Sequence, residues 1–187
     1  MQVLAFQYIP NCLSIMRILL AFPVGFLLLK QEYGWTLAIF ILAGISDGLD
    51  GFLAKRFGWQ SRLGGILDPL ADKVLFIVAF LILGILGLIH TWLVIAAIIR
   101  DLIIMSGAIF YQLIIEEIQP APSRLSKLNT ILQTLLVILV IIDAGIYTLP
   151  RIFLDSLQWI LLVTLILSGS HYVFLWGHRA LYKTLQK

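Results

Sequence analysis

Six apolar runs constrain this chain more than any other feature. They lie at about Cys12–Leu29, from Trp35 to the Asp47–Asp50 region, Asp68–Ile89, Thr91–Ile115, Leu128–Tyr147 and Leu157–Trp176. A helix rises about 1.5 Å per residue, so about 20 apolar residues cross the roughly 30 Å of hydrocarbon in a bilayer. Residues of the AVILMFWYC set make up 61% of the 187-residue chain and DEKR only 12%. A soluble domain runs at about 45–50% and about 25%. One small core cannot hide that much apolar surface. The composition excludes a disordered tail and a nucleic-acid-binding module, and it disfavours a soluble globular enzyme. No β-alternation competes, and in lipid each backbone polar group must be satisfied within its own segment. The expected fold is an all-α membrane protein with six transmembrane helices.

The connections between runs are short, and no linker, low-complexity tract or internal repeat interrupts them. We read residues 1–187 as a single domain, with 1–10 a candidate interfacial segment. Met1–Gln7 holds no Lys or Arg, and no small-residue cleavage site follows, so no signal peptide is expected. The single cysteine, Cys12, permits no internal disulfide and no cysteine-based zinc site. Lys and Arg set the orientation. With the N-terminus inside, Lys55, Arg56, Arg62, Lys73, Arg124, Lys127, Arg179, Lys183 and Lys187 fall inside, and Lys30 and Arg151 fall outside. Both termini are therefore expected in the cytoplasm of a bacterial cell bounded by its inner membrane.

Ionisable groups at membrane depth are costly and usually functional. Four of the ten acidic residues, Asp47, Asp50, Asp68 and Asp72, fall in one 26-residue window. The i, i+3 and i, i+4 spacings put each pair on one face of its helix. The segment Gly51–Gly65 returns the chain on the cytoplasmic side, so the pairs can meet. Four carboxylates in a partly dry site repel one another. Hard oxygen donors without His or Cys suit Mg²⁺ or Mn²⁺, and two such ions can clamp a transferring phosphoryl group. The alternative is a set of salt bridges to Lys55, Arg56 and Arg62. Gly51, Gly64 and Gly65 leave room for a nucleotide or a neighbouring helix.

The stretch Asp47-Gly-Leu-Asp50-Gly51-Phe-Leu-Ala54-Lys55, followed by Gly64, Asp68 and Asp72, resembles the signature of the CDP-alcohol phosphatidyltransferases, D-x2-D-G-x2-A-R-x8-G-x3-D-x3-D. Every spacing agrees, and the family core has six transmembrane helices and similar length. The one departure is Lys55, which keeps the charge of the usual Arg and loses its bidentate fork. The resemblance implies that Asp47, Asp50, Asp68 and Asp72 hold two metal ions, with Asp72 also the general base for the acceptor hydroxyl. It implies that Gly51, Ala54 and Gly64 pack near the cytidine nucleotide and that Lys55 and Ser61 contact its diphosphate. Pro10-Asn11, Ser14 and Arg17 are similar to a first-helix pattern of the family near the nucleotide. Arg17 has an equal alternative as partner of a site carboxylate. The family also implies a homodimer.

The donor implied is CDP-diacylglycerol, and the branches differ in acceptor alcohol. Ile99-Arg100-Asp101-Leu and Pro122-Ser-Arg124-Leu-Ser-Lys127-Leu-Asn-Thr130 look closer to the cardiolipin-forming branch, whose acceptor is phosphatidylglycerol, than to the branch using glycerol 3-phosphate. The latter more often carries Arg-Glu and a Lys-x-Lys-Thr run at these places. One fixed positive charge fewer suits a phosphodiester over a monoester. Arg100, Arg124 and Lys127 are candidate acceptor-phosphate ligands, and Arg17 is a further candidate for acceptor binding. The alternatives are a self-neutralising Arg100–Asp101 pair and positive-inside anchoring by Arg124 and Lys127. Two other classes compete, a small cation or proton transporter and a purely structural bundle. Transporters favour midplane charges on interrupted, repeated helices, and the chain shows neither.

Overall fold

The computed structural model describes residues 9–57, 64–114 and 124–184. Among them are six helices and no strand: α1 Ile9–Leu29, α2 Tyr33–Phe57, α3 Gly64–Ile85, α4 Thr91–Ile114, α5 Arg124–Gly145 and α6 Arg151–Thr184. The all-α expectation is met.

Helix ends differ from the apolar runs where propensity and hydropathy diverge. The second run fades at Asp47–Asp50, yet α2 continues to Phe57. Leu, Ala, Lys and Arg after Asp50 are good helix formers whatever their polarity. The return segment expected over Gly51–Gly65 is therefore helical through Phe57, and α3 begins at Gly64. At the far end α3 stops at Ile85, ahead of the expected Ile89. Gly87 takes φ +72°, and the amides of Gly87 and Leu88 donate to the carbonyls of Gly84 and Leu83. That is a Schellman stop, which a left-handed glycine makes inexpensive. The same bonds close α1, where Gln31 and Glu32 donate to Leu28 and Leu27. There the left-handed residue is Gln31, at φ 60°. The last helix spans 34 residues, well beyond its apolar centre.

Among the described residues three stretches, Cys12–Leu29, Leu125–Gly145 and Arg151–Tyr172, are long and apolar enough to cross a membrane. Tyr33–Leu49 and Lys73–Ile85 are shorter apolar stretches. Outward-facing side chains are as hydrophobic as the buried ones, with Phe22, Trp35, Ile85, Ile131 and Ile152 all exposed. Lipid accepts such a surface without the penalty that water exacts, so the chain is a membrane protein.

Residues up to Leu88 together with Val137–Thr148 form one compact unit, and Ile89–Leu136 with Leu149 onward form another. In the first, α1 packs on both α2 and α3. Its buried stripe reads Ser14, Arg17, Ala21, Val24, Leu28, a three–four alternation that follows one helix face. A methyl group at Gly25 would lie 2.9 Å from Val78 Cγ1, and one at Gly145 would lie 2.4 Å from Tyr33 Cβ. These glycines let helices approach closely, as small residues do between membrane helices. In the second unit α4 packs on α6 through Leu93, Ala97, Leu157, Leu161 and Leu165. At one end of that pair Trp92 stacks between His90 and Trp159, with ring centroids 5.4 and 4.9 Å away. Gln158 Oε1 accepts the His90 backbone N–H at 2.9 Å, which fixes the start of α4.

Candidate active site

One aromatic contact fixes the register of α2 against α3. The rings of Phe40 and Phe76 meet edge to face, 5.8 Å between centroids. Phe57 lies 17 residues beyond Phe40, and Gly64 lies 12 before Phe76. Were the helices parallel, those ends would be about 43 Å apart along the axis. Six intervening residues reach at most about 25 Å. The helices are therefore antiparallel, and residues whose numbers sum to about 116 are level. Asp68 is level with Gly48, between Asp47 and Asp50, and Asp72 is level with Gly44. All four aspartate positions occupy about 9 Å of axial length, less than two helical turns.

The first helix confirms this layering independently. Arg17 Nη1 donates to Asp47 Oδ1, which brings those residues of α1 and α2 within an arginine side chain's reach of one level. Carried through to α3, the same register puts Gly25 level with position 77. The observed close neighbours of Gly25 are Val78 and Ile82, within about one turn. One layer thus contains Ser14 and Arg17 of α1, Asp47 and Asp50 of α2, and Asp68 and Asp72 of α3.

Within that layer Arg17 is fully buried, while the Asp47 carboxylate is 44% exposed. Of the two readings open for Arg17, the structure places its guanidinium on a site carboxylate. Ser14, one turn earlier, is also fully buried, and Ser46 beside Asp47 caps its hydroxyl on the Leu42 carbonyl at 2.6 Å. Asn11, Asp50, Gly51, Ala54, Lys55, Gly64, Asp68, Asp72 and Arg124 hold helical positions, and their side chains lie outside what is described. Ser61 lies outside the described residues altogether. Above the layer α1 and α3 enclose an apolar groove of about 370 Å³, beginning at Ile18 and Val74 and running to Leu29 and Ile82.

Of the candidate acceptor residues, Arg17 lies in the first unit, on Asp47, and Arg100, Arg124 and Lys127 lie in the other. Arg100 is 5% exposed and Asp101 is 7% exposed. Arg100 Nη1 donates to Asp101 Oδ1, and Nη2 to Ser126 Oγ and Ser168 Oγ, each at 2.8 Å. The guanidinium thereby joins α4 to α5 and α6 and is neutralised by its neighbour. Lys127 is exposed. Sequence reasoning missed Ser126, Ser168 and the nearby bond from Thr164 Oγ1 to Asn129 Oδ1 at 3.2 Å. The signal was present: Ser126, Asn129 and Gln133 recur at helical spacing in α5, and Thr164 and Ser168 do so in α6. Polar side chains repeated along one face of an apolar helix mark an interhelical seam. An apolar groove of about 510 Å³ runs beside this seam, past Ala96, Arg100, Ile103 and Gly169.

Donor chemistry in the aspartate layer fits hard divalent cations. Carboxylate oxygens are donors of the kind such ions take, and the Asp47 side chain is 44% exposed beside the buried Arg17; among the described residues no three His, Cys, Asp or Glu side chains converge.

Comparison with known proteins identifies the family. The model of the family described as CDP-alcohol phosphatidyltransferase matches residues 7–170. The CMP-forming cardiolipin synthase of Rattus norvegicus is 38% identical over 146 residues, 69% of this chain and 48% of that protein. The CDP-diacylglycerol–glycerol-3-phosphate 3-phosphatidyltransferase of Aquifex aeolicus is 29% identical over 193 residues, 94% of this chain and 98% of that protein. The chloroplastic CDP-diacylglycerol–glycerol-3-phosphate 3-phosphatidyltransferase 1 of Oryza sativa is 30% identical over 185 residues, covering 89% of this chain and 56% of that protein. The chain spans about half the length of the rat and rice relatives and nearly all of the Aquifex one. A match running through the aspartate layer and most of the helices settles the kinship: this chain belongs to the CDP-alcohol phosphatidyltransferase family.

Proposed function

We propose that this chain transfers a phosphatidyl group from CDP-diacylglycerol to an alcohol and releases CMP. The observation that carries the reading is the shared level of Asp47, Asp50, Asp68 and Asp72, set by the Phe40–Phe76 contact in a chain with the family signature. Asp47, Asp50, Asp68 and Asp72 would hold two divalent ions, Mg²⁺ or Mn²⁺. Bound there, such ions offset charge on the diphosphate and on the departing CMP. Asp72 accepts the proton of the acceptor hydroxyl, a poor nucleophile without a base. The hydroxyl oxygen bonds to the lipid-side phosphorus, and the bond from that phosphorus to CMP breaks with its electron pair. Asn11, Ser14, Gly51, Ala54, Lys55, Ser61 and Gly64 would bind the CDP moiety. The groove between α1 and α3 would take a donor acyl chain.

Phosphatidylglycerol is the preferred acceptor, which gives cardiolipin. Support comes from Arg100, whose bonds to Asp101, Ser126 and Ser168 leave less free positive charge for a phosphate monoester. Glycerol 3-phosphate is the alternative, and relatives named for either activity match the chain. In the bilayer we place all six helices across the membrane, the aspartate layer and both termini at the cytoplasmic face of the inner membrane. The homodimer would pair the exposed apolar faces of α3 and α4. Purified protein given CDP-diacylglycerol with each acceptor separately tests the reaction. CMP release with phosphatidylglycerol supports the reading. Release only with glycerol 3-phosphate reverses the acceptor, and release with neither refutes the activity. No observation favours a transporter.

A further inference from the structure

We propose that Arg17 is a positioning residue that sets the charge of the aspartate layer. It weakens cation binding to the empty layer and strengthens the hold on an anionic diphosphate once cations are in place. The inference rests on the two-ion reading above.

Arg17 is fully buried, and its Nη1 donates to Asp47 Oδ1. It stands on the stripe of α1 that continues into Ala21, Val24 and Leu28. Withdrawing a guanidinium from its carboxylate into such surroundings is costly, so its charge is a fixed part of the layer. Asp47, by contrast, is 44% exposed, so its carboxylate can face Arg17 on one side and a cation on the other. An outer partner of this kind orients a ligand and tunes its basicity.

Charge then decides the sign of each effect. With all four carboxylates ionised, Arg17 leaves the empty layer with three negative charges instead of four. Two divalent cations bring it to one positive charge, where without Arg17 it would be neutral. An incoming diphosphate with two negative charges therefore meets one more positive charge in the layer when Arg17 is present, in addition to the charge of Lys55. One unit charge a few ångströms away, in a medium of intermediate dielectric, is worth about tenfold or more in affinity. A purely structural arginine predicts something else: its loss would loosen the layer and weaken both ligands together.

The test uses the full chain in detergent micelles. Mn²⁺ affinity is read by electron paramagnetic resonance of the free ion. CDP-diacylglycerol affinity is read by thermal stabilisation in saturating Mn²⁺. Arg17→Gln is expected to bind Mn²⁺ about tenfold tighter and CDP-diacylglycerol about tenfold weaker. Arg17→Lys, which keeps the charge, is expected to stay within about threefold of the parent for both. If Arg17→Gln does not fold, Asp47→Asn is compared with the Arg17→Gln, Asp47→Asn double variant, which removes the buried cation and its anion together. The double variant is then expected to bind Mn²⁺ more tightly than the single. Affinities that fall together, or that do not move, overturn the role of Arg17 while leaving the two-ion reading standing. A parent protein that binds neither Mn²⁺ nor CDP-diacylglycerol overturns that reading, and this inference with it.

Discussion

Replacing Arg100 with Met measures what the polar seam of α4, α5 and α6 contributes. Arg100 donates three bonds of 2.8 Å, one to a carboxylate and two to hydroxyls. Both members of its ion pair are more than nine-tenths buried. Removing one partner of a buried pair leaves the other charge poorly compensated and costs about 3–5 kcal/mol. Three bonds from a charged donor, at about 1.5 kcal/mol or more each, reach the same range. In a chain of this size that is a fall of about 6–15 °C in thermal midpoint. Neutralising Asp101 as well, in Arg100→Met with Asp101→Asn, removes the uncompensated charge and is expected to restore most of the loss. The assay is unfolding in mixed detergent micelles, followed by tryptophan fluorescence, for both single variants and the double. A loss below about 1 kcal/mol for Arg100→Met, combined with abolished use of the acceptor, would refute the reasoning. The guanidinium would then serve substrate rather than the seam.

Other consequences are as direct. Gly145→Ala puts a methyl 2.4 Å from Tyr33 Cβ, and neither backbone-attached carbon can swing away. Its thermal midpoint is expected to drop by the equivalent of about 1–3 kcal/mol. Gln31→Gly relieves a left-handed residue at φ 60° and is expected to raise stability by about 0.5–1 kcal/mol in the same unfolding assay. Asp72→Asn is expected to lower the rate of CMP release by about 100-fold or more with the thermal midpoint retained. Unchanged turnover removes Asp72 from the mechanism. Exhaustive chelation is expected to abolish CMP release, and added Mg²⁺ or Mn²⁺ to restore it; full activity in chelator refutes the two-ion layer.

Much of the molecule could be read before any coordinates. Helical class follows from six apolar runs, since lipid leaves a backbone few ways to satisfy itself. The four aspartates are visible because charge in an apolar setting stands out at any position. Helix ends were less legible. Hydropathy stops where polarity begins, and helix propensity does not, so α2 passes through Asp47 and Asp50 to Phe57. The stop at Gly87 depends on a backbone dihedral that many glycines never adopt.

What the sequence by itself determined is the membrane setting, the helical class and the chemical character of the aspartate window, because those depend on residue type and spacing along one chain. Only the tertiary structure decided which partners the buried cations take. Arg17 and Asp47 are 30 residues apart, and Arg100 and Ser168 are 68 apart. No periodicity links such pairs. They meet because Phe40 packs on Phe76, Gly25 admits Val78, and α4 lies against α6. Side-chain packing between helices sets their register, and register places charge beside charge.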